Sequence, residues 1–396
     1  MSTGNAVPVL MYHSVGRPMP EWRWAFLTVP ADIFENHLSA LKRAGYRSAD
    51  LAELYEHVSG RRPLSARSVV LTFDDGYLDN WTYAAPLLEK YGFKATVVVN
   101  PEFVDPRDVV RVTLKDVWNG KSRAEDLEVH GFMSWPELKQ VARSGVFSVQ
   151  SHLMTHTWYP VGPEVVDFHY PGDEYYWLDW NENPSAKPFY LASLEEGCVP
   201  WGTPVYRHEK SMAARRFWPP PCEGERLFQY VTEHGGEAFF QNPAWREELF
   251  AKLDEVRVKG SAGGRLESEE ECRKRIWWEL EESKRQIEQN LEETVDHMVW
   301  PGGGYVDEVF EAALKVYRSV ALSSRDGSDV RNRIGEDPRR IKRLGVPAVQ
   351  GKKALNYFDG SYLVRYLDEY RGVFGARKIR QIKKVLHLAH TFLESA

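Results

Sequence analysis

Residues 7–13, 68–73 and 94–100 are mostly apolar, the last two rich in β-branched residues, and residues 146–152 read as a fourth strand. That is the pattern of strands buried on both sides, as in a parallel sheet. Between them, apolar residues recur at helical spacing. Ile33, Phe34, Leu38, Leu41 and Ala44 mark a helix that Gly45 closes, and residues 51–58 a second. Ala84, Leu87 and Leu88 share one face of a third over residues 80–91, with Gly92 as its stop. Ser134 and Glu137 have capping-box spacing with Pro136 in the first turn, which opens a helix to Arg143 that stops at Gly145. Strand and helix thus alternate, predicting parallel pairing through right-handed crossovers. Residues 101–130 are polar and irregular and read as a loop.

The rhythm breaks after residue 156. Residues 157–266 hold aromatics such as Trp158, Tyr170, Trp177, Trp201 and Trp218, many prolines and few periodic segments. A flexible linker would lack the aromatics. The stretch is predicted to be an insertion after the fourth strand, whose aromatics form a lid or stacking platform, or pack an accessory core. Regular elements resume with a long charged helix over 267–295, buried along Ile276, Trp277, Leu280, Ile287 and Leu291. A strand and turn follow at 298–304, a helix at 307–317, and strands at 319–323 and 341–346. A basic amphipathic helix at 377–393 carries His387 and His390 as ordinary face residues. The expected organisation is an α/β domain from residues 1–156 and 267–350, a lid or substrate subdomain at 157–266, and a C-terminal helical extension at 351–396.

Charge and composition narrow the partners. The formal net charge is -6, and the densest basic cluster, Arg339-Arg340-Ile341-Lys342-Arg343, is too short for a phosphate-binding stripe. Nucleic acid is therefore not an expected partner. The 14 tryptophans suit surfaces that stack on sugar rings as well as cores. Cys198, Cys222 and Cys272 are odd in number and lack C-x-x-C spacing, which suggests neither a disulfide framework nor a cysteine zinc site. No apolar run approaches the ~18 residues of a membrane span, and the N-terminus lacks the order of a signal peptide. The expected compartment is the cytoplasm.

Candidate chemistry sits where strands end. Residues 68–73 run into Asp74-Asp75-Gly76. A fully buried run has no way to solvate two carboxylates, so they must emerge at the strand's carboxyl end, where α/β folds bind ligands. Two carboxylates this close repel unless one binds a cation or shares a proton. Another strand ends on His152, with His156 four residues later. Asp75, His152 and His156 match a catalytic Zn2+ site with an open position, and such donors also accept ions such as Co2+ or Ni2+. Asp74 is left as the base that takes a proton from water on the ion. A second group must protonate the leaving nitrogen, a task that suits a histidine. Arg325, Asp326 and His169 are further residues that a site mouth can recruit.

Thr72-Phe73-Asp74-Asp75-Gly76, Ser151-His152-x-x-x-His156 and Trp300-Pro301-x-Gly303 resemble the three leading motifs of the polysaccharide deacetylases, the NodB-homology family of carbohydrate esterases. The resemblance covers about residues 7–156 and 296–346. It implies a distorted (β/α)7 barrel, with an aromatic-rich insertion after the fourth strand here, and metal-dependent removal of N-acetyl groups from an amino sugar in an oligo- or polysaccharide. It also implies Asp74 as base, Asp75, His152 and His156 as metal ligands, and the Gly302 N–H as oxyanion donor. Two family features are missing. Val299 and Trp300 stand where an arginine usually orients the base, and the late Leu-x-His that supplies the acid is not evident. Leu388-Ala389-His390 matches it only by letter, within the C-terminal helix. The opening Val9-Leu10-Met11-Tyr12-His13 resembles a subgroup that includes poly-N-acetylglucosamine deacetylases, with permuted strand order and an N-terminal histidine as acid, so His13 is the expected acid. Tyr12, Trp158, Trp300, Pro301 and Tyr305 are the expected substrate contacts. The missing features leave two other readings open: a catalytically degenerate carbohydrate-binding protein, and a different amide hydrolase, such as a deformylase of a lipid-linked sugar.

Overall fold

The computed structural model describes residues 6–191, 199–259, 263–323, 329–350 and 355–394. Arg325, Asp326 and Cys198 lie outside them, and of His390 only the backbone is described. The chain gathers into two compact units. One comprises Met1–Met154, Glu282–Gly303 and Ala313–Ala396, the other Thr155–Glu281 and Gly304–Ala312.

In the first unit seven parallel strands close on themselves. They are β1 (Val9–Tyr12), β2 (Ser68–Phe73), β3 (Ala95–Val99), β4 (Phe147–Ser151), β5 (His297–Val299), β6 (Ser319–Ser323) and β7 (Arg340–Gly345). The order around the ring is β1-β7-β6-β5-β4-β3-β2, and β2 pairs back to β1. This is a distorted (β/α)7 barrel, and its strands are the seven that the apolar runs mark. The first strand sits between the last and the second: Leu10 is in register with Leu344, and Tyr12 with Phe73. Every residue of β2 and β3 is buried, which is why both read as unbroken apolar runs. The distortion shows at β5, which meets β4 at the single pair Met298–Ser151. A three-residue strand, Arg47–Ala49, extends the start of β2 outside the ring. With one buried position it leaves no periodic trace in the sequence.

Local chemistry sets the helix ends. Asp50 and Glu53 form a reciprocal capping box ahead of helix Leu51–Val58 (2.8 and 3.0 Å), and Ser134 with Glu137 does the same for Trp135–Arg143. The helix read over 80–91 opens as a wide π turn, Asn80–Ala84, before the α-helix Ala85–Tyr91. The 101–130 stretch contains a short helix, Leu114–Trp118. It is organised by a buried ion network rather than by apolar packing: Arg111 bonds Glu137 at 2.6 Å and lies 3.3 Å from Asp105. A helix that the apolar pattern did not mark, Gly360–Tyr370, packs closely on Ala31–Arg43. A Cβ on Gly360 would lie 2.4 Å from the Asn36 carbonyl oxygen, so only glycine admits this approach.

The second unit is more regular than its sequence suggests. Strands Trp158–Phe168 and Pro204–Lys210 pair as an antiparallel hairpin, joined by helices Pro221–Glu233 and Trp245–Lys259. Pro160 and Pro163 lie within the longer strand, and its register shifts twice between Pro160 and Asp167. Bulges and prolines of this kind erase the alternation by which a strand is recognised. Phe168, Leu227, Val231, Phe239, Trp245, Leu249 and Leu253 form a core of the unit's own. Part of the aromatic content therefore packs an accessory core.

His37 ties the barrel to the C-terminal region. Its Nε2 lies 2.7 Å from the Phe358 carbonyl and its Nδ1 3.1 Å from the Tyr12 hydroxyl. A carbonyl only accepts, so Nε2 carries the proton and Nδ1 accepts from Tyr12. Burial of this neutral ring lowers its pKa to about 4. The unfolded chain then takes up the proton first as pH falls below the ordinary histidine value of ~6.5, so stability is full above that and declines towards pH 4. Asp79, pushed up to about 6 by burial, works with the opposite sign: its contribution is full below the ordinary aspartate value of ~3.9 and is lost as pH rises to about 6. His37→Gln retains both hydrogen bonds but cannot titrate. We expect it to shrink the loss of unfolding free energy between pH 7 and 4.5 by ~2–3 kcal/mol, measured by denaturant unfolding at both pH values.

Candidate metal centre and active site

The barrel's β2 delivers Asp74 and Asp75 at its carboxyl end, and the two acids face different chemistry. The Asp74 backbone N–H continues the β1 ladder, donating to the Tyr12 carbonyl at 3.0 Å. Its carboxylate is 3% exposed. Arg343 of β7, also buried, grips it with both arms, Nη1 to Oδ1 at 2.6 Å and Nη2 to Oδ2 at 2.9 Å. Such a bidentate fork fixes the plane of the carboxylate as well as its charge. Thr72 Oγ1 accepts from Arg343 at 3.3 Å while donating to the Leu10 carbonyl, so the fork is itself held. Burial alone would raise the Asp74 pKa; the charges of Arg343, His152 and His13 outweigh it and hold the group below the usual carboxylate range. His13 Nε2 stands 3.9 Å from Asp74 Oδ2, close enough for charge but longer than a hydrogen bond. The carbonyl of His13 accepts from the Asn80 side chain at 2.9 Å, which anchors the turn after β1.

At Asp75 the chain turns through two left-handed residues, with φ of 70° at Asp75 and 72° at Gly76. Aspartate tolerates that region and glycine prefers it. A Cβ on Gly76 would lie 2.8 Å from Val99 Cγ1, so the motif's glycine is required twice over, by conformation and by space. The β4 end behaves similarly: Leu153 and His156 adopt φ of 62° and 48°. The Asn100 amide bonds the carbonyls of His152 and Leu153 and supports this bend from β3.

His152 is 1% exposed, with its Nδ1 2.9 Å from the Val299 carbonyl. That carbonyl makes Nδ1 the donor and leaves the Nε2 lone pair as the ligating atom, as in many metal-bound histidines. Nε2 lies 3.3 Å from Asp75 Oδ1. Two donors each ~2.1 Å from one tetrahedral ion stand ~3.4 Å apart, so the spacing fits. One ligand atom from each of Asp75, His152 and His156 lies within 4.8 Å of the others. The residues beside His156 are themselves pinned: Thr155 by Glu279, with its N–H donating at 3.1 Å, and the Thr155 carbonyl by the buried Lys187 at 2.8 Å.

The expected substrate contacts fare unequally. Tyr12 is 2% exposed, stacks on Phe73 with centroids 5.2 Å apart and bonds His37, so it is a core residue and has no face for a ligand. Trp300, 1% exposed, is likewise buried in the barrel. Both are corrected from substrate contacts to packing, because burial of an aromatic ring leaves no surface to stack on. Pro301–Gly303 forms a single tight turn after β5, with Gly302 exposed and at φ 54°. Trp158 and Tyr305 are half-buried; Trp158 packs against His208 and Trp177, and Tyr305 against Phe310. His169 pairs with Asp173 at 3.0 Å within the second unit. Arg343 is the residue that motif reading missed. The basic cluster containing it was visible, but only the ring order shows that the guanidinium absent from the third motif arrives from β7.

Comparison with known proteins agrees with this geometry. Residues 61–172 match the family model described as polysaccharide deacetylase. Over 91 residues, 23% of the chain, it is 38% identical to the Bacillus subtilis protein YxkH, which bears the same family description. Over 148 residues, 37% of the chain, it is 27% identical to the poly-beta-1,6-N-acetyl-D-glucosamine N-deacetylase of Escherichia coli K12. These matches span 30% and 20% of the respective relatives. Among solved structures, a de-N-acetylase from Aggregatibacter actinomycetemcomitans shares the fold at a TM-score of 0.50 and 17% identity, covering 86% of this chain and 94% of that one. The BpsB deacetylase domain from Bordetella bronchiseptica gives 0.50 and 18%, covering 86% and 96%. Residues 61–172 and the motifs they carry are thus similar to the polysaccharide deacetylase family, and a ring in which the strand before His13 lies between the last strand and the second is the arrangement that the resemblance to its permuted, poly-N-acetylglucosamine deacetylase-like branch implies.

Proposed function

We propose that the protein is a divalent-metal-dependent hydrolase that removes N-acetyl groups from an amino sugar within an oligo- or polysaccharide. One observation carries this reading: a buried, ionised Asp74 in an arginine fork, next in sequence to one member of an Asp-His-His donor cluster. The amino-sugar assignment draws on the name of the Escherichia coli relative.

Asp75, His152 and His156 would hold the ion, with zinc the first choice for two imidazoles and a carboxylate. When bound, such an ion acidifies water and polarises a carbonyl. The chain's own residues do the rest. Asp74, acceptor-only while ionised, keeps lone pairs free beyond its two bonds to Arg343 and takes a proton from the attacking water. Water oxygen bonds to the amide carbon, and Gly302, on the turn after β5, would donate its N–H to the developing oxyanion. His13 Nε2 then gives a proton to the amide nitrogen as the C–N bond breaks, yielding acetate and a free amine. Reading the protein as a degenerate sugar binder rested on a missing guanidinium and an absent late histidine; against it stand the Arg343 fork on Asp74 and His13 Nε2 at 3.9 Å from the same carboxylate. No helix among the described residues is long and apolar enough to cross a membrane.

Acetate release from N-acetylated oligosaccharides should vanish on treatment with a chelator and return on adding Zn2+, Co2+ or Ni2+; activity that persists in metal-free protein would sink the proposal. Asp74→Asn should lower kcat by ~10²–10⁴-fold while elemental analysis still finds one ion per chain. Arg343→Met strands a buried carboxylate and should cost ~3–5 kcal/mol in denaturant unfolding as well as activity. Adding Asp74→Asn to it should recover much of the stability but none of the activity.

A further inference from the structure

The C-terminal helix Ala376–Glu394 is held in place by polar side chains and turns apolar ones outward. Ala376 is buried at its start. Arg380 pairs with Glu369 and donates to the Tyr362 hydroxyl at 2.8 Å. Lys383 donates to Ser361 Oγ at 2.9 Å, and the His387 ring packs on that of Phe358, centroids 4.5 Å apart. Residues 380, 383 and 387 share one helix face by their spacing, and their contacts fix the roll of the helix. At about 100° per residue, Ile379, Ile382 and Val385 point away from that face. All three are exposed, Ile382 by 61% and Val385 by 65%, and just ahead of the helix Phe374 is exposed over its whole surface. A helix that only had to cap the fold would bury its apolar stripe and leave its charges in water. Here the arrangement is reversed.

Charge decides what covers this face. Residues 370–393 hold Arg371, Arg377, Lys378, Arg380, Lys383 and Lys384 and no aspartate or glutamate, in a chain whose formal net charge is -6. Arg377, Lys378 and Lys384 are exposed. Lys378 precedes Ile382 by four residues and Val385 by seven, which sets it within the apolar face, and Arg377 and Lys384, seven apart, line its flank. Basic side chains placed so lay their stems along apolar surface and carry the charge to its edge. A second copy of the chain is a poor cover, because a self-complementary contact brings the same basic side chains of both copies together, and like charges oppose it. A surface that is anionic outside and apolar beneath matches both features.

We infer that this face docks the protein on an anionic lipid membrane. The helix would lie in the plane of the surface, with Phe374, Ile379, Ile382 and Val385 at the boundary between headgroups and acyl chains and Arg377, Lys378 and Lys384 among the lipid phosphates. It rests on the bilayer and does not cross it, since no helix among the described residues is long and apolar enough to do so. An apolar ridge and a basic flank are two weak signals that act together, which is how reversible attachment is built. The face shares no residue with the chemistry proposed above and does not depend on the N-deacetylase reading.

Co-sedimentation of the full chain with vesicles of phosphatidylcholine alone, and of phosphatidylcholine mixed equally with phosphatidylglycerol, tests this directly. Binding to the anionic vesicles should be ~10–100-fold tighter than to the neutral ones at low salt, and the difference should shrink as salt is raised. Phe374→Ser combined with Ile382→Gln should weaken binding about tenfold or more. Lys378→Gln combined with Lys384→Gln should remove most of the preference for anionic lipid and carries the test if the first pair does not fold. Far-UV circular dichroism should be unchanged in both, since all four side chains are exposed. Binding that survives the Phe374 and Ile382 substitutions would overturn the assignment of the face, and equal binding to both vesicles would overturn its anionic partner. No binding to either vesicle would overturn the inference outright, as would a dimer in sedimentation velocity that Ile382→Gln dissociates, which assigns the face to a second copy. Acetate release from soluble oligosaccharides should be the same in all these variants, so failure of either reading leaves the other standing.

Discussion

A carboxylate that no water reaches stays charged only if something else replaces the water. In this barrel that replacement is Arg343, and the arrangement of the active site follows from it. The pair joins residues 269 positions apart and links β2 to β7 past the first strand, which lies between them in the ring. Burying two ions costs several kcal/mol each, and the cost is recovered only when geometry and additional hydrogen bonds are good. Here both arms of the fork are used, and Thr72 takes up a further donor contact while bonding β1. The same interaction therefore holds the proposed base ionised and in plane, and locks the permuted strand order that brings His13 to within 3.9 Å of it.

Around that pair the backbone is held away from its relaxed conformations. Asp75, Leu153 and His156 all sit at positive φ, and among non-glycine residues of the described chain only Glu292 joins them. Each such residue costs on the order of 1–3 kcal/mol and persists only where its surroundings over-determine it. The Asn100 amide under the His152–Leu153 bend, the Val299 carbonyl on His152 and the Glu279 and Lys187 contacts beside His156 are those surroundings. Strain at the loops is thus set against rigid strand ends, and the candidate ligand atoms of Asp75, His152 and His156 lie within 4.8 Å of one another.

The insertion follows a different logic. It has its own core, so its aromatics do not all wait for a ligand. Packing accounts for Phe168, Phe239 and Trp245, which lie in that core.

The sequence by itself determined the strands and the reactive groups. Unbroken apolar runs, capping boxes and strand-end polar residues are local signals, and they named all seven barrel strands, the Asp74-Asp75-Gly76 turn and the His152–His156 pair. Bulged strands with internal prolines, a helix that opens as a π turn, and a loop ordered by the buried Arg111 network escaped, because their stability comes from contacts distant along the chain. Only the tertiary structure decided that Tyr12 and Trp300 are packing residues, that the guanidinium missing from one motif enters from the last strand, and that the insertion carries a core. Residue type and spacing specify what a group can do. Burial, and the partner that burial forces upon it, specify what it does, and both are properties of the closed ring rather than of any one segment.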